Sequence, residues 1–216
     1  MKIGILGTGM VGATLGAKLT ALGHEVKMGS RTADNAKALE WVKKAGSLAT
    51  NGTFEDAARF GVVIFNCTNG GGSLPALELA GAANLNGKVL VDVSNPLDFS
   101  KGMPPSLLPA YSNTTSLAEE IQKAFPDVKV VKALNTMNCQ LMTDASLVPG
   151  AHDIFMCGND DAAKSEVKQI LSSFGWHHPI DLGDLSGARG MEMILPIWVR
   201  LYGHFQSPMF NFKIVR

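Results

Sequence analysis

The tightest constraint on the fold lies in the first dozen residues, where Lys2-Ile-Gly-Ile-Leu6 runs directly into Gly7-Thr-Gly9-Met-Val-Gly12. A short apolar run enters a G-x-G-x-x-G, and a helix-compatible stretch from Ala13 to Leu22 follows at once. This is the strand–turn–helix setting in which the pattern holds a dinucleotide. Gly7 permits the tight turn, Gly9 lets the backbone approach a pyrophosphate, and Gly12 lets the new helix pack closely on the strand. The helix N-terminus then offers unpaired N–H groups and a partial positive charge to phosphate. Lys2 ahead of an apolar stretch also has the look of a secretory signal. However, Lys18 and the glycines interrupt that stretch, and strand and helix go on alternating past residue 24.

The end of the second strand selects the cofactor. His24 to Met28 reads as that strand and ends in Gly29-Ser30-Arg31. An NAD site would place Asp or Glu here for the ribose 2′-hydroxyl. A hydroxyl followed by a guanidinium suits a 2′-phosphate instead, because Arg presents a planar fork to it. The expected cofactor is therefore NADP(H), held by Ser30 and Arg31. Lys37 is available to add charge at the rim, although a solvated helix face explains it equally well.

Composition agrees with one ordinary domain, or one domain with a small added lobe, in 216 residues. Hydrophobic residues make up 46% and charged residues 18%, which suits a packed core. Nineteen basic residues balance nineteen acidic ones, with no basic stripe for nucleic acid. The three cysteines, Cys67, Cys139 and Cys157, never form C-x-x-C. They argue against a disulfide framework or a zinc site and fit a reducing, cytoplasmic setting. Glu192, Pro196 and Arg200 break the apolar stretch Met191 to Phe205, so no membrane span is expected.

The rest of the chain alternates. Ala33 to Ala45 reads as a helix; Asn51-Gly52 marks a turn, and Thr53 caps a short helix. Val62 to Phe65 and Lys88 to Val93 are continuous apolar strands of the kind parallel sheets bury on both faces. Between them Ser73 is placed to cap a helix. After a Pro-rich loop, Met103 to Pro109, come a helix from about Ser116 to Phe125 and a strand, Val128 to Val131. Asp153 to Met156 (strand), Ala162 to Phe174 (helix), His178 to Asp181 (strand) and one longer helix from Ser186 to about Leu201 complete the pattern. The apolar tail Phe210 to Val215 is expected to dock on the protein or on a partner. The expected architecture is an α/β, Rossmann-type, doubly wound and mainly parallel sheet with a small C-terminal α/β lobe. Residues 1–135 would be the NADP-binding part and 136–216 the lobe, one compact unit with an acceptor pocket between them.

Ligands of such sheets bind beyond the carboxyl ends of the strands. Those ends read Gly7 to Gly12, Ser30-Arg31, Cys67-Thr68-Asn69, Ser94-Asn95-Pro96 and Asn135-Thr136. Hydroxyls and amides recur there, and no pair suited to deprotonating an alcohol is legible. Hydride transfer to a conjugated ring asks less of the protein, which mainly has to bring two rings together. Lys132 is the one acid near a strand end, with a structural or surface role expected. Adjacent His177 and His178 would point to opposite faces of a strand, so no metal site is expected. His152 and His204 read as surface or packing residues, and nothing beside Cys67 would activate its thiol. Met191, Met193, Trp198, Tyr202 and Phe205 are packing residues first, some of them able to line a flat apolar pocket.

Gly7 to Gly12, Gly29-Ser-Arg31, Val130 to Thr136 and Cys157-Gly-Asn-Asp160 together resemble the NADPH-dependent deazaflavin (factor 420) reductase family. The cytosolic domain of six-transmembrane ferric reductases is similar in the same places. The resemblance implies a dimeric, cytoplasmic oxidoreductase that moves hydride between NADP(H) and a flavin- or deazaflavin-like acceptor. It implies that Thr8, Met10 and Val11 border the pyrophosphate and ribose, with Thr68, Asn95 and Asn135 near the nicotinamide. The alternatives are an NADPH-binding sensor or docking subunit without turnover, and a small carbonyl or imine reductase.

Overall fold

The computed structural model describes residues 1–216. In chain order the elements are β1 (Lys2–Leu6), α1 (Met10–Ala21), β2 (Glu25–Ser30), α2 (Ala36–Ala45), β3 (Ala49–Thr53), α3 (Phe54–Phe60) and β4 (Val63–Asn66). Then come α4 (Ser73–Ala80), α5 (Ala82–Leu85), β5 (Val89–Asp92), a hairpin of β6 (Leu97–Asp98) and β7 (Ser106–Leu107), α6 (Leu117–Ala124) and β8 (Lys129–Ala133). The chain ends with α7 (Cys139–Thr143), β9 (Phe155–Gly158), α8 (Asp161–Ser173), β10 (Ile180–Asp181), α9 (Ala188–Met193) and α10 (Leu195–Phe205).

Eight strands form one sheet in the order β10-β9-β8-β5-β4-β1-β2-β3. The six from β3 to β8 run parallel, whereas β9 pairs antiparallel with β8 and β10 follows β9. The sheet is thus continuous across residue 135, with Val131 opposite Gly158. Strand residues alternate between two cores. Ile3, Ile5, Val63, Phe65 and Val91 pack with α1, α2, α7 and α8, while Leu6, Ile64, Leu90 and Val130 pack with α3, α4, α6 and α9. Side chains of period two on strands buried on both faces explain the continuous apolar runs. The fold is Rossmann-type and doubly wound, as the alternation of strands and helices predicts. None of its helices is long and apolar enough to cross a membrane.

Several local expectations change. Asn51-Gly52 is not a turn but lies inside β3, with Asn51 opposite Met28 and Gly52 opposite Gly29. Packing selects the glycine, since a Cβ there would lie 2.8 Å from that of Asp56. Asn51 donates to the Ala33 carbonyl at 2.6 Å, tethering the loop after β2. That loop stays open until Asn35 caps α2, so the helix begins three residues later than expected. Ser73 does not cap α4; Gly72 precedes the helix, and the Ser73 hydroxyl is buried beside Asn66 and Thr68. The single helix expected from Ser186 is divided at Ile194 into α9 and α10. Pro196, which has no N–H to give, sits in the first turn of α10 where none is needed. The tail docks on its own chain, with Phe212 accepting from Asp153 N–H at 2.9 Å and the Phe210 ring stacked on Trp198. Thr53 behaves as expected and forms a reciprocal capping box with Asp56.

Candidate active site

A cleft of about 590 Å³ opens at the carboxyl ends of β1, β2 and β4. Its walls include Gly7, Thr8, Gly9, Ser30, Arg31, Cys67, Thr68 and Asn69, all expected there, and also Thr32, Asn35 and Phe54, which were not. The loop after β1 is shaped by close backbone approaches. Gly7 sits at φ +119°, and a Cβ on it would meet the Cys67 carbonyl at 2.6 Å. A Cβ on Gly12 would lie 2.3 Å from the Gly7 carbonyl oxygen. Gly9, by contrast, has nothing within 4 Å of where a Cβ would stand. It begins α1 with no side chain capping the first N–H groups. A phosphate fits that combination of open space and unpartnered donors.

Arg31 is exposed at the mouth of the cleft. Ser30 is buried and its hydroxyl donates to the Thr32 carbonyl, so it must turn to donate to a phosphate. Met10 and Val11 do not line the cleft: Met10 is exposed on α1, and Val11 packs against the core. Lys37, on the first turn of α2, does not line it either.

Beyond the cleft the strand ends are cross-linked. A Cβ on Gly70 would fall 2.2 Å from the Asn95 carbonyl, so the loop after β4 lies directly on the loop after β5. Asn95 and Asn135 form a reciprocal pair, Asn95 Nδ2 donating to the Asn135 carbonyl and Asn135 Nδ2 to Asn95 Oδ1, both at 2.8 Å. Asn135 Nδ2 also donates to the Met191 carbonyl of α9 at 2.8 Å. With two acceptors facing one end, the orientation of this amide is settled, and Oδ1 is left buried without a partner. Such an orphan acceptor costs about 1–3 kcal/mol unless a donor reaches it. Leu134, immediately before, holds φ +66°, a conformation a branched residue rarely adopts, and it turns the chain out of β8. Asn95, Pro96 and Asn135 therefore form a second station, next to the cleft rather than within its walls.

Beneath this station lies a buried polar cluster that sequence reasoning did not find. Lys132 is wholly buried, with Nζ 2.8 Å from Asp92 Oδ2, 2.8 Å from Glu192 Oε1 and 2.6 Å from the Ser94 carbonyl. Burial alone would drive its pKa down, but the two carboxylates outweigh that and hold it above the ordinary lysine value. Burial and the nearby Asp92 raise the Glu192 pKa, with Lys132 opposing. The other oxygen of Asp92 accepts from Ser94 N–H, Ser94 Oγ and Asn66 Nδ2. Asn66 Oδ1 in turn accepts from Thr68 Oγ1 at 2.6 Å. One hydrogen-bonded line thus runs from the nucleotide cleft to α9. The hints in the sequence are Lys132 and Asp92, charged residues near the carboxyl ends of mostly apolar strands.

Burial and the nearby Asp92 hold the Cys67 thiol well above its usual pKa, which disfavours the thiolate; Cys157 is pushed up to about 12 by burial. His177 and His178 are exposed, and no group of three or more His, Cys, Asp or Glu side chains could hold a metal ion.

Fold and cleft together define a Rossmann-type protein with a dinucleotide-sized cleft at its strand ends, and comparison with known proteins makes it an NADP-dependent oxidoreductase. Residues 2–96 match the family model described as NADP oxidoreductase, coenzyme F420-dependent. The F420-dependent NADP reductase of Methanocaldococcus jannaschii is 31% identical over 215 residues, covering 96% of this chain and 95% of that protein. A solved structure from Arthrobacter sp. FB24, proposed to be an F420-dependent NADP-reductase, is 49% identical over the whole of both chains, with a TM-score of 0.94. The metalloreductase STEAP3 of Rattus norvegicus is 32% identical over 203 residues, but the chain spans only 38% of its length. The chain belongs to the F420-dependent NADP reductase family.

Proposed function

We propose that the enzyme transfers hydride between NADPH and a flavin- or deazaflavin-like ring, with one proton exchanged with solvent as the ring is reduced. The observation that carries this reading is the arrangement of the two stations. An open, donor-rich cleft lies next to the loop that carries Asn95, and the Asn95–Asn135 pair holds one buried, unpartnered acceptor, Asn135 Oδ1, that a carboxamide N–H would satisfy on reaching it. Bound NADPH supplies the hydride. The glycine loop and α1 would hold the pyrophosphate, with Thr8 and the backbone N–H groups of Met10 and Val11, though not their side chains, at its border. Ser30 and Arg31 would hold the 2′-phosphate, and Thr68, Asn95 and Asn135 the nicotinamide end. No protein acid is required, because the conjugated ring absorbs the charge.

The acceptor's place in this reading is a second cavity of about 480 Å³, between the β6–β7 hairpin and α10. It adjoins the Asn95 station, since Leu108 N–H donates to the Pro96 carbonyl at 2.8 Å. Pro104, Pro105, Leu107 and Met193 offer flat apolar walls, and Arg200 a charge for an acidic substituent. Residues 1–135 would thus bind the nucleotide and 136–216 complete the acceptor side. A homodimer in a reducing cytoplasm is the proposed setting. Exposed Ile197, Tyr202 and Phe205 on α10 and the free cysteines are compatible with it.

Anaerobic stopped-flow with NADPH tests the reading, offering FMN, a deazaflavin and ferric chelates in turn. Fast, saturable oxidation by a ring acceptor is expected. Tight NADPH binding without oxidation by any of them would overturn it in favour of a sensor or docking subunit.

A further inference from the structure

We propose that the buried Lys132–Asp92–Glu192 cluster is a positioning device for the hydride-transferring end of the cofactor, fixing Asn95 and Asn135 so that the nicotinamide is held with a single face outward. The proposal rests on the cofactor reading above and adds residues that touch no substrate.

The geometry makes the cluster a junction of four elements. Lys132, from β8, grips the Ser94 carbonyl at 2.6 Å, and that carbonyl belongs to the peptide leading into Asn95. Asp92, at the end of β5, takes the Ser94 N–H at 3.2 Å and hydroxyl at 2.7 Å, so the same turn is held from both sides. Glu192, from α9, accepts the Leu117 and Ala118 N–H groups at 2.9 and 3.3 Å, the first two of α6. Ser116 takes the next, from Glu119. The carboxylate thereby satisfies donors that a helix start otherwise leaves orphaned. The residue before it, Met191, presents the carbonyl to which Asn135 donates. Lys132 therefore ties α9 to β5 and β8, and with α9 the carbonyl that orients Asn135.

A charged cluster this deep is an expensive way to obtain stability alone, because apolar residues of similar volume often serve as well or better. What it adds is direction: the Lys132 ammonium has three acceptors drawn from β5, the turn after it and α9, and every carboxylate oxygen of the cluster has at least one donor. Asn135, held by Asn95 on one side and Met191 on the other, keeps its buried, unpartnered Oδ1 in one orientation, ready for a donor that displaces the packing over it. A pair of amides without that anchorage would leave the ring free to turn over.

The test uses the full chain and the double variant Lys132→Met/Glu192→Gln. It removes one charge of each sign, leaves the Asp92 carboxylate with its three donors, and keeps an amide oxygen for the α6 N–H groups. A core variant away from the cluster, Leu171→Ala, serves as a stability control. Three quantities are measured: melting temperature, the dissociation constant for NADP+ by calorimetry, and nuclear Overhauser contacts between the nicotinamide protons and ribose H1′ of bound NADP+. In the wild type a single pattern is expected, marking one orientation about the glycosidic bond. The double variant is expected to bind NADP+ within about twofold of wild type, since the phosphate contacts are remote from the change. It should nevertheless show both orientations, while Leu171→Ala melts earlier and keeps one. A single unchanged pattern in the double variant would overturn the positioning role and leave the cluster purely structural. Two orientations already present in the wild type would overturn it too. Failure of the wild type to bind NADP+ at all would instead strike the reading of the cleft.

Discussion

The strand-end crest of this protein has two halves built in opposite ways. Around β1 and β2 the site is open and made mostly of backbone. Gly7 and Gly12 pack against other main-chain atoms, Gly9 faces empty space, and Arg31 stands exposed at the mouth. Most of it lies within the first three dozen residues, with Phe54 and Cys67 to Asn69 completing the walls. Around β5, β8 and α9 the site is closed and made of side chains drawn from far apart. Asp92 meets Lys132 across 40 positions and Leu117 meets Glu192 across 75. The first half can accept a ligand by offering donors; the second limits how that ligand sits. A nucleotide that must bind firmly at one end and react in one orientation at the other calls for both.

The largest effect should come from breaking the closed half. Lys132→Met leaves two buried carboxylates without their cation, and urea unfolding should show a loss of about 3–5 kcal/mol. Adding Glu192→Gln should restore a good part of it. If the single variant unfolds like the wild type, the cluster carries little of the structure and the contrast drawn here fails. In the open half, Gly12→Ala forces a methyl group against the Gly7 carbonyl. It should cost about 1–3 kcal/mol of stability and weaken NADPH binding as the loop shifts.

Arg31→Ala sharpens the comparison, because it should leave stability untouched. Calorimetry is expected to show NADPH binding weaker by about 1–3 kcal/mol, the scale of a charge-assisted contact, with NADH binding unchanged. Equal losses for both cofactors would remove the 2′-phosphate from Arg31. The smallest effect concerns Glu119, which accepts two hydrogen bonds from Arg189 of α9. The Arg189 guanidinium holds the Glu119 pKa below the usual carboxylate value. A lowered carboxylate pKa adds stability that is complete above the unfolded-state value and lost as the pH falls through the folded one. Glu119→Gln should therefore melt slightly below the wild type at neutral pH and alongside it in strong acid. A gap that persists at low pH would mean that packing, and not the ion pair, joins α6 to α9.

Much of the open half was legible in the sequence, because glycine spacing and strand–helix alternation are local signals. Eight of the expected ligand residues do meet in one cleft. Asn35 is hidden in the sequence because the helix expected from Ala33 covers it, and Thr32 because a single polar residue after a strand end carries no signal of its own. The closed half was nearly invisible. In the sequence Lys132 reads as a structural or surface residue, Asp92 as one strand residue among others, and Glu192 as an interruption in an apolar stretch. Nothing in their spacing relates them, and the left-handed turn at Leu134 that delivers Asn135 has no glycine to announce it.

What the sequence determined by itself is the class of fold, the position of the glycine-rich turn after β1 and the exposed Arg31 after β2. Each follows from residue types a few positions apart, whose backbone freedom or charge acts wherever the chain goes. What only the tertiary structure decided is the reversal of β9 and β10, the Asn95–Asn135 pair and the ion cluster beneath it. These depend on which strand ends become neighbours in the sheet. Buried charge is tolerated only where distant partners converge to satisfy it, so its meaning appears only once the chain has folded.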